Sequence, residues 1–442
     1  MSHSLRQLQD FITSPSSDNG FIRLYGKDAV ISQKNRYLQL LELGENKFEA
    51  ITPFIISAPG RTELGGNHTD HQHGKVISAA VNLDCVAAVA PSDNMKVNLL
   101  SDQLQRPIAL DLDNTSPRAA EEGQPESLIR GVAAACHKNG LKIKGFNGYL
   151  HSTCKPGTGL SSSAAFSVLT GAIFSVLNDI TPNPVQLAHC AKFAENHYFG
   201  KPCGLMDQLS SALGTTLFIN FLNPDQPQIS PLTTTAFATS PYRMVIVDTG
   251  GSHVGLTKEY ADITEEITRA AQILGKNFAG DLDMNSVLGQ LGKIRKKAGD
   301  RATLRLIHII QENMRVTKQV TALSENRFTD FLALVQASGV SSCRLLQNCS
   351  NPSNTKEQGI LLALALTDEF CPQSVVRVHG GGFAGTIQAY IPEHELDRYQ
   401  KMMGPIFGRD AVLPVRIGRP GICSLTKQGW SCPADGVALC AI

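Results

Sequence analysis

The sequence carries almost no net charge. Lys and Arg total 40 against 39 Asp and Glu in 442 residues, a formal charge of +1. Such balance excludes the electrostatic footprint of a nucleic-acid binder, and no local basic run restores one. None of the 11 cysteines forms a C-x-x-C pair, and their count is odd. That pattern excludes a zinc site of the usual spacing and a disulfide framework, and suits a reducing cytosol. Long hydrophobic runs are missing as well. The longest, from Ala164 to Leu177, is too short to span a bilayer and is interrupted by Ser167, Thr170 and Gly171. Met1 to Asp10 is polar and lacks the apolar centre of a secretory leader. There is no internal repeat and no low-complexity tract. Charged residues make up only 18% and the hydrophobic set 42%, which fits a well-buried globular enzyme and not a disordered chain. The expectation is a soluble cytoplasmic protein of roughly three domains, or two large ones.

Residues 1–50 read as a helical arm interrupted by the turn-rich run Thr13 to Gly20, with a helix from Asn35 ending near Gly44. Phe54 to Ala58 predicts a buried strand stopped by Pro59-Gly60. Further strands are expected at 76–90, 96–100, 146–151, 215–221 and 243–248, and helices at 126–138, 162–178, 184–198, 205–213 and 256–273. Helices at 304–324, 327–347, 356–369 and 393–403 and strands at 374–379 and 386–391 follow. The polar stretch 222–241 suggests a boundary between two domains, 51–230 and 231–442, of an α+β protein.

Four segments carry chemistry. In Lys155-Pro-Gly-Thr-Gly-Leu-Ser-Ser-Ser-Ala-Ala165 a glycine-rich turn runs through three serines into an apolar helix. Glycines let backbone approach phosphate oxygens, and a helix N-terminus favours anions. No Gly-Lys-Ser/Thr follows, so this is not a Walker A loop. Gly380 to Gly385 satisfies G-x-G-x-x-G, but Thr386 to Tyr390 reads as a strand. The dinucleotide motif requires a helix there, so a tight hairpin packing on another loop is expected. Arg61 to Gly74 crowds Arg, Asn, His and Asp into one polar loop, suited to several hydroxyls and an anion. His71-x-His73 is read as ordinary surface and hydrogen-bonding groups in preference to metal ligands. Lastly, Glu195 ends one helix and Asp207 begins the next, a plausible magnesium and general-base pair beside a phosphate loop.

These segments, in this order, resemble the galactokinase branch of the GHMP small-molecule kinases over roughly residues 50–415. Gly60 to Gly74 is similar to the galactokinase signature, Gly157 to Ala165 to the phosphate loop, Pro202 to Gln208 to the catalytic-aspartate segment and Arg377 to Thr386 to the third motif. Weaker echoes occur at Arg305 to Val316 and Gln336 to Arg344. The resemblance implies a two-domain α+β GHMP kinase fold, with an S5-like N-terminal and a ferredoxin-like C-terminal domain and the active site between them. It implies ATP-dependent phosphorylation of galactose at O1, with magnesium. Asp207 would be the base or orienting carboxylate and Arg61 would stabilise transition-state charge. Ser163 and Glu195 would hold the metal, and Asn67, His68, Thr69, Asp70 and Tyr260 the sugar. Gly157, Thr158, Gly159, Leu160, Ser161, Ser162, Ser163 and Ser101 would face ATP. Galactokinases usually carry Glu where this chain has Asn67 and Tyr where it has His71. Galacturonokinases share the missing acid and the Asp-His-Gln of Asp70-His71-Gln72. Galacturonate or another hexose is therefore an alternative substrate, and a non-catalytic galactose and ATP sensor a second alternative.

Overall fold

The computed structural model describes residues 3–48, 53–104, 106–155, 157–251 and 256–436. Pro156 of the serine segment and residues 51–52, at the expected start of the N-terminal domain, lie outside them. Among the described residues seven strands precede residue 232: β1 (Phe54–Gly65), β2 (Lys75–Pro91), β3 (Lys96–Leu100), β4 (Ile108–Asp111), β5 (Phe146–Ser152), β6 (Thr216–Asn220) and β7 (Gln228–Pro231). Six follow: β8 (Tyr242–Asp248), β9 (Val375–His379), β10 (Thr386–Pro392), β11 (Val412–Val415), β12 (Cys423–Thr426) and β13 (Gly429–Ser431).

The first sheet runs β13-β12-β1-β2-β5-β3-β4, with β6 on the first half of β2 and β7 on β6. Its pairs are antiparallel except β3 with β5. β2 is long enough to change partners, pairing Lys75–Ala79 with β6 and Cys85–Pro91 with β5. Alternate side chains of a strand face opposite ways. Cys85, Ala87 and Val89 of β2 pack on the helices Pro125–Lys138, Ser162–Val176, Pro184–Ala194 and Met206–Leu213. Val86, Ala88 and Ala90 pack on the N-terminal arm. Burial on both faces accounts for the near-continuous apolar run.

The arm is three helices, His3–Thr13, Asp18–Tyr25 and Val30–Phe48. The last continues past Gly44, where an end was expected, and seats Tyr37, Leu40 and Leu41 in the shared core. Asp84 of β2 pins the arm. It accepts from Arg36 Nη1 (2.7 Å), Tyr25 Oη (2.5 Å), Ser57 Oγ (2.5 Å) and Arg419 Nη1 (3.1 Å). Burial alone would raise this carboxyl's pKa; the two guanidinium groups and the hydroxyl donors outweigh it and hold Asp84 well below the usual carboxylate range.

The second sheet runs β11-β8-β10-β9, all antiparallel. Numbered by its own chain order this is 4-1-3-2, the ferredoxin-like arrangement that the resemblance implies. One face, with Met244, Ile246 and Tyr390, packs on the helices Asp300–Ser324 and Phe328–Ser341 and on Ile77, Ala79 and Val81 of β2. The other, with Val245, Val247 and Ile387, packs on Gly359–Phe370 and Leu396–Phe407.

Three expectations are corrected. β1 does not stop at Pro59-Gly60: it continues to Gly65, with register shifts at Pro59/Arg61 and Glu63/Gly65 that absorb the proline at a bulge. Arg61 therefore sits on a strand and not in a loop. The cut at 230/231 marks where the chain leaves the first sheet, but β12 and β13 return to it, so 231–442 is not one structural unit. Finally, Cys423 and Cys432 form a disulfide. The hairpin register that sets Ser424 opposite Ser431 brings the two cysteines face to face, with Cα atoms 4.3 Å apart. The other eight described cysteines are free.

Candidate active site

A cavity of about 860 Å³ lies where the ends of β1, the serine segment, the 200–207 turn and the β9–β10 hairpin meet. Arg61 reaches it from β1. Its Nε donates to Asp207 Oδ1 at 2.6 Å, and its Nη1 donates to the carbonyl of Gly159. Ser161 Oγ donates to Asp207 Oδ2. Burial raises the pKa of Asp207, but the charge of Arg61 and the hydrogen bonds from Arg61 and Ser161 prevail, leaving it below the ordinary carboxylate range. An ionised carboxylate is thus fixed at the cavity wall with both oxygens oriented.

Ser161 precedes the helix Ser162–Val176 in a left-handed conformation (φ 57°) and makes no side-chain cap bond. Its hydroxyl serves Asp207 instead. Ser162 and Ser163 border the cavity at the first turn, whose backbone N–H groups lack intrahelical partners. Ser163 Oγ donates to Glu195 Oε2 (3.1 Å), and Gln208 Nε2 donates to Glu195 Oε1 (2.9 Å). Glu195 opens a π-helical turn, Glu195–Phe199, that finishes the helix expected to run to 198 with a wider winding. Burial raises its pKa, against the opposing charge of Lys201, whose Nζ lies 3.7 Å from Oε2.

The glycine-rich run 380–385 is the turn between β9 and β10, which removes the dinucleotide reading. Gly159 packs against it so closely that a Cβ would lie 2.7 Å from His379 Nδ1, and its φ is +70°. His379 Nε2 meets Thr62 Oγ1 at 3.1 Å and its Nδ1 meets Thr386 Oγ1 at 3.1 Å. Burial, then the nearby arginines, push its pKa down to about 3, so the ring is neutral.

The signature loop supplies the opposite wall. His68 contacts Gly381 O through Nε2 at 2.9 Å, and burial lowers its pKa to about 4. Asp70 and Tyr260 border the cavity; Tyr260 Oη donates to Gly382 O at 2.8 Å. Asn67 is 1% exposed and its amide is committed to protein. Nδ2 donates to Gly380 O (2.9 Å) and Glu63 Oε1 (3.4 Å), while Oδ1 accepts from Asn348 Nδ2 (3.0 Å) and Ser342 Oγ (3.3 Å). It props the hairpin, and no donor is left for a sugar.

Several expected residues lie elsewhere. Thr69 is buried, with its hydroxyl on the carbonyls of Gly66 and Lys75 inside the loop's own turn. Thr158 is buried with its hydroxyl on Lys155 O, and Leu160 is a core residue. Ser101 accepts from Gln103 N in the turn after β3 and does not border the cavity. Gly157, Gly159 and Ser161 to Ser163 do border it. Other residues that the sequence did not single out prop the site. Glu312 accepts from the backbone N–H of Gly66 (3.2 Å) and Asn67 (3.4 Å), and His308 Nε2 meets Asn67 O at 3.1 Å. Both sit in the weak echo at 305–316, one helical turn apart, a spacing that places them on one face. Glu63 also borders the cavity.

Residues 45–91 match the galactokinase galactose-binding signature, and residues 127–215 the GHMP kinase N-terminal domain. Galactokinases of Limosilactobacillus reuteri and Streptomyces coelicolor are 26% and 29% identical, over 81% and 82% of this chain and 90% and 91% of theirs. The chain is a sugar kinase that carries a GHMP kinase N-terminal domain. The galactokinase of Lactococcus lactis in complex with galactose shares its fold at a TM-score of 0.73 and 20% identity, covering 90% of this chain and 99% of that one. The mevalonate kinase of Methanococcus jannaschii superposes at 0.56 and 16% identity, over 82% and 98%. In this kinase Asp207, Arg61 and the serine segment therefore lie on a scaffold shared with phosphotransferases. Among the described residues no helix is long and apolar enough to cross a membrane.

Proposed function

We propose that this kinase transfers the γ-phosphoryl group of ATP to O1 of galactose, giving α-D-galactose 1-phosphate and ADP. The observation that carries the reading is Asp207, an ionised carboxylate held by Arg61 and Ser161 on the wall of the cavity that the serine helix and the galactose-type signature loop also line. The galactose assignment draws on the signature at 45–91 and on relatives that are galactokinases.

Phosphoryl transfer asks a protein chiefly for positioning and charge stabilisation. The triphosphate lies along Gly157, Gly159 and the first turn of the serine helix. Asp207 orients the anomeric hydroxyl and takes its proton as O1 bonds to phosphorus and the ADP oxygen departs. Arg61 keeps Asp207 ionised and opposes the charge that develops on the transferred group. Asp70 faces the sugar ring, where a carboxylate suits paired hydroxyls.

Ser163 Oγ and Glu195 Oε2 offer two hard oxygen donors 3.1 Å apart at the phosphate end, a set that fits magnesium completed by phosphate oxygens and water. When bound there, the ion would neutralise phosphate charge. Coupled ADP release with galactose, galacturonate, N-acetylgalactosamine and glucose tests the reading, with phosphorus NMR of the product. Magnesium-dependent turnover of galactose and an anomeric phosphate are expected. Absence of turnover with every sugar, or a phosphate at another oxygen, would overturn it.

A further inference from the structure

The cavity wall that holds the signature loop contains a carboxylate to which the mechanism assigns nothing. Glu63 lies two residues after Arg61 on β1, so the two side chains leave the strand on the same face. Its Oε1 is occupied, accepting from Arg377 Nη2 at 2.5 Å and from Asn67 Nδ2 at 3.4 Å. Among the described residues Oε2 has no partner, and it is not sealed from solvent. Arg377 stands behind it, 1% exposed and outside the cavity wall. What a sugar meets at this point is the free carboxylate oxygen and not the guanidinium.

The charges around the cavity are segregated. Arg61 is committed to Asp207, Lys201 lies beside Glu195, and Lys155 opens the serine segment, so these cations gather at the phosphate end. Glu63 and Asp70 occupy the signature side, and neutral His68 lies between the loop and the hairpin. Carboxylates accept hydrogen bonds from hydroxyls readily and repel another carboxylate.

Resting on the reading of this site as a sugar pocket, we propose that Glu63 makes it selective for a neutral hexose over the corresponding uronic acid. Its free oxygen accepts from a sugar hydroxyl, and its charge, with that of Asp70, excludes a sugar carboxylate. Asn67, whose amide would tolerate either substrate, acts here as the strut that holds Glu63 and the hairpin.

The test is kcat and KM for galactose and galacturonate in the unmodified enzyme and in Glu63→Gln, with KM for ATP and the thermal midpoint measured alongside. The unmodified enzyme is expected to favour galactose by about a hundredfold or more in kcat/KM. Glu63→Gln should raise the galactose KM about tenfold, leave kcat and the ATP KM within about twofold, and narrow the ratio between the sugars. A purely structural role would lower the thermal midpoint and reduce both sugars alike, which overturns the proposal. So would a preference for galacturonate, which leaves the kinase chemistry standing. If Glu63→Gln does not fold, Glu63→Asp keeps a charge for Arg377 while withdrawing it from the cavity, and an unchanged galactose KM in that variant also overturns it. Should no sugar be phosphorylated, the proposed function fails separately. Calorimetric binding of galactose and galacturonate to the same proteins then decides on Glu63, with equal binding of the two sugars to the unmodified protein as the refuting result.

Discussion

Replacing Arg61 with Met removes the charge next to Asp207 while keeping most of the aliphatic stem. The pair is 2.6 Å apart between Nε and Oδ1, with side chains only 9% and 20% exposed, so solvent screens it weakly. Unit charges about 4 Å apart in an effective dielectric near 20 attract by about 4 kcal/mol. If that attraction is what keeps Asp207 ionised and opposes transition-state charge, its loss lowers kcat by about a thousandfold at most. Losing the donor to Gly159 O adds a smaller cost, felt as a few-fold rise in the ATP KM. The pH profile separates this account from simple misfolding. In the unmodified enzyme Asp207 is held below its ordinary pKa, so activity persists to low pH, and the stability the ion pair contributes is lost only as pH falls through that depressed value. Without Arg61 burial dominates, the carboxyl's pKa rises, and the acid limb of kcat/KM moves to higher pH. Steady-state kinetics from pH 4.5 to 8.5, with circular dichroism as a fold control, provide the measurement. A folded Arg61→Met enzyme with kcat within about threefold and an unmoved acid limb would refute the reasoning.

Asp84→Asn leaves Arg36 and Arg419 facing a neutral amide in a buried setting, and should cost about 3–5 kcal/mol in urea unfolding with little change in the KM of either substrate. Gly159→Ala must force a Cβ against His379 at a left-handed φ, and should cut kcat more than about tenfold while costing about 1–3 kcal/mol of stability by thermal melt. Asn67→Glu deletes the donor to Gly380 O and makes two carboxylates share Arg377. Restoring the galactokinase-like acid in this chain is therefore expected to lower the melting midpoint and reduce galactose turnover, not improve it.

The long elements were legible because burial wrote itself into periodicity: β2, β8, β10 and the helix Ser162–Val176 lie within two residues of expectation. Strands of three or four residues, such as β4, β7 and β11 to β13, are too short to show a period. Their pairing comes from neighbours far along the chain. The helices expected at 184–198 and 327–347 run to Phe199 and Leu346, but their last turns are π-helical, beginning at Glu195 in one case and Ser342 in the other, a change of winding that no local pattern announces. Asp207, Arg61 and Ser163, which the motifs single out, all border the cavity. The placement of Thr69, Thr158 and Leu160 was not legible, because in a tight loop neighbouring residues point opposite ways and only some reach the cavity. Glu63 was hidden by ending β1 at Pro59. Once the strand continues through the bulge, its place on the face of Arg61 follows from period two. Asn348 and His379 act through contacts spanning hundreds of residues, and no local pattern announces those.

The return of β12 to the edge of β1 has a consequence for how the chain is made. β1 is synthesised early in this chain, but the strand that covers its outer edge follows only after all four strands of the second sheet, β8 to β11. The β12–β13 hairpin delivers Trp430, whose ring meets Phe21 at 5.2 Å and Tyr37 at 5.9 Å, and the segment leading into it delivers Arg419, which meets Asp84. Until that hairpin is made, the first sheet has an open hydrogen-bonding edge and the arm an incompletely covered apolar face. The nascent chain therefore offers a template for wrong pairing until β12 is released, which makes its yield in a cell sensitive to chaperone supply and to loss of the β12–β13 hairpin.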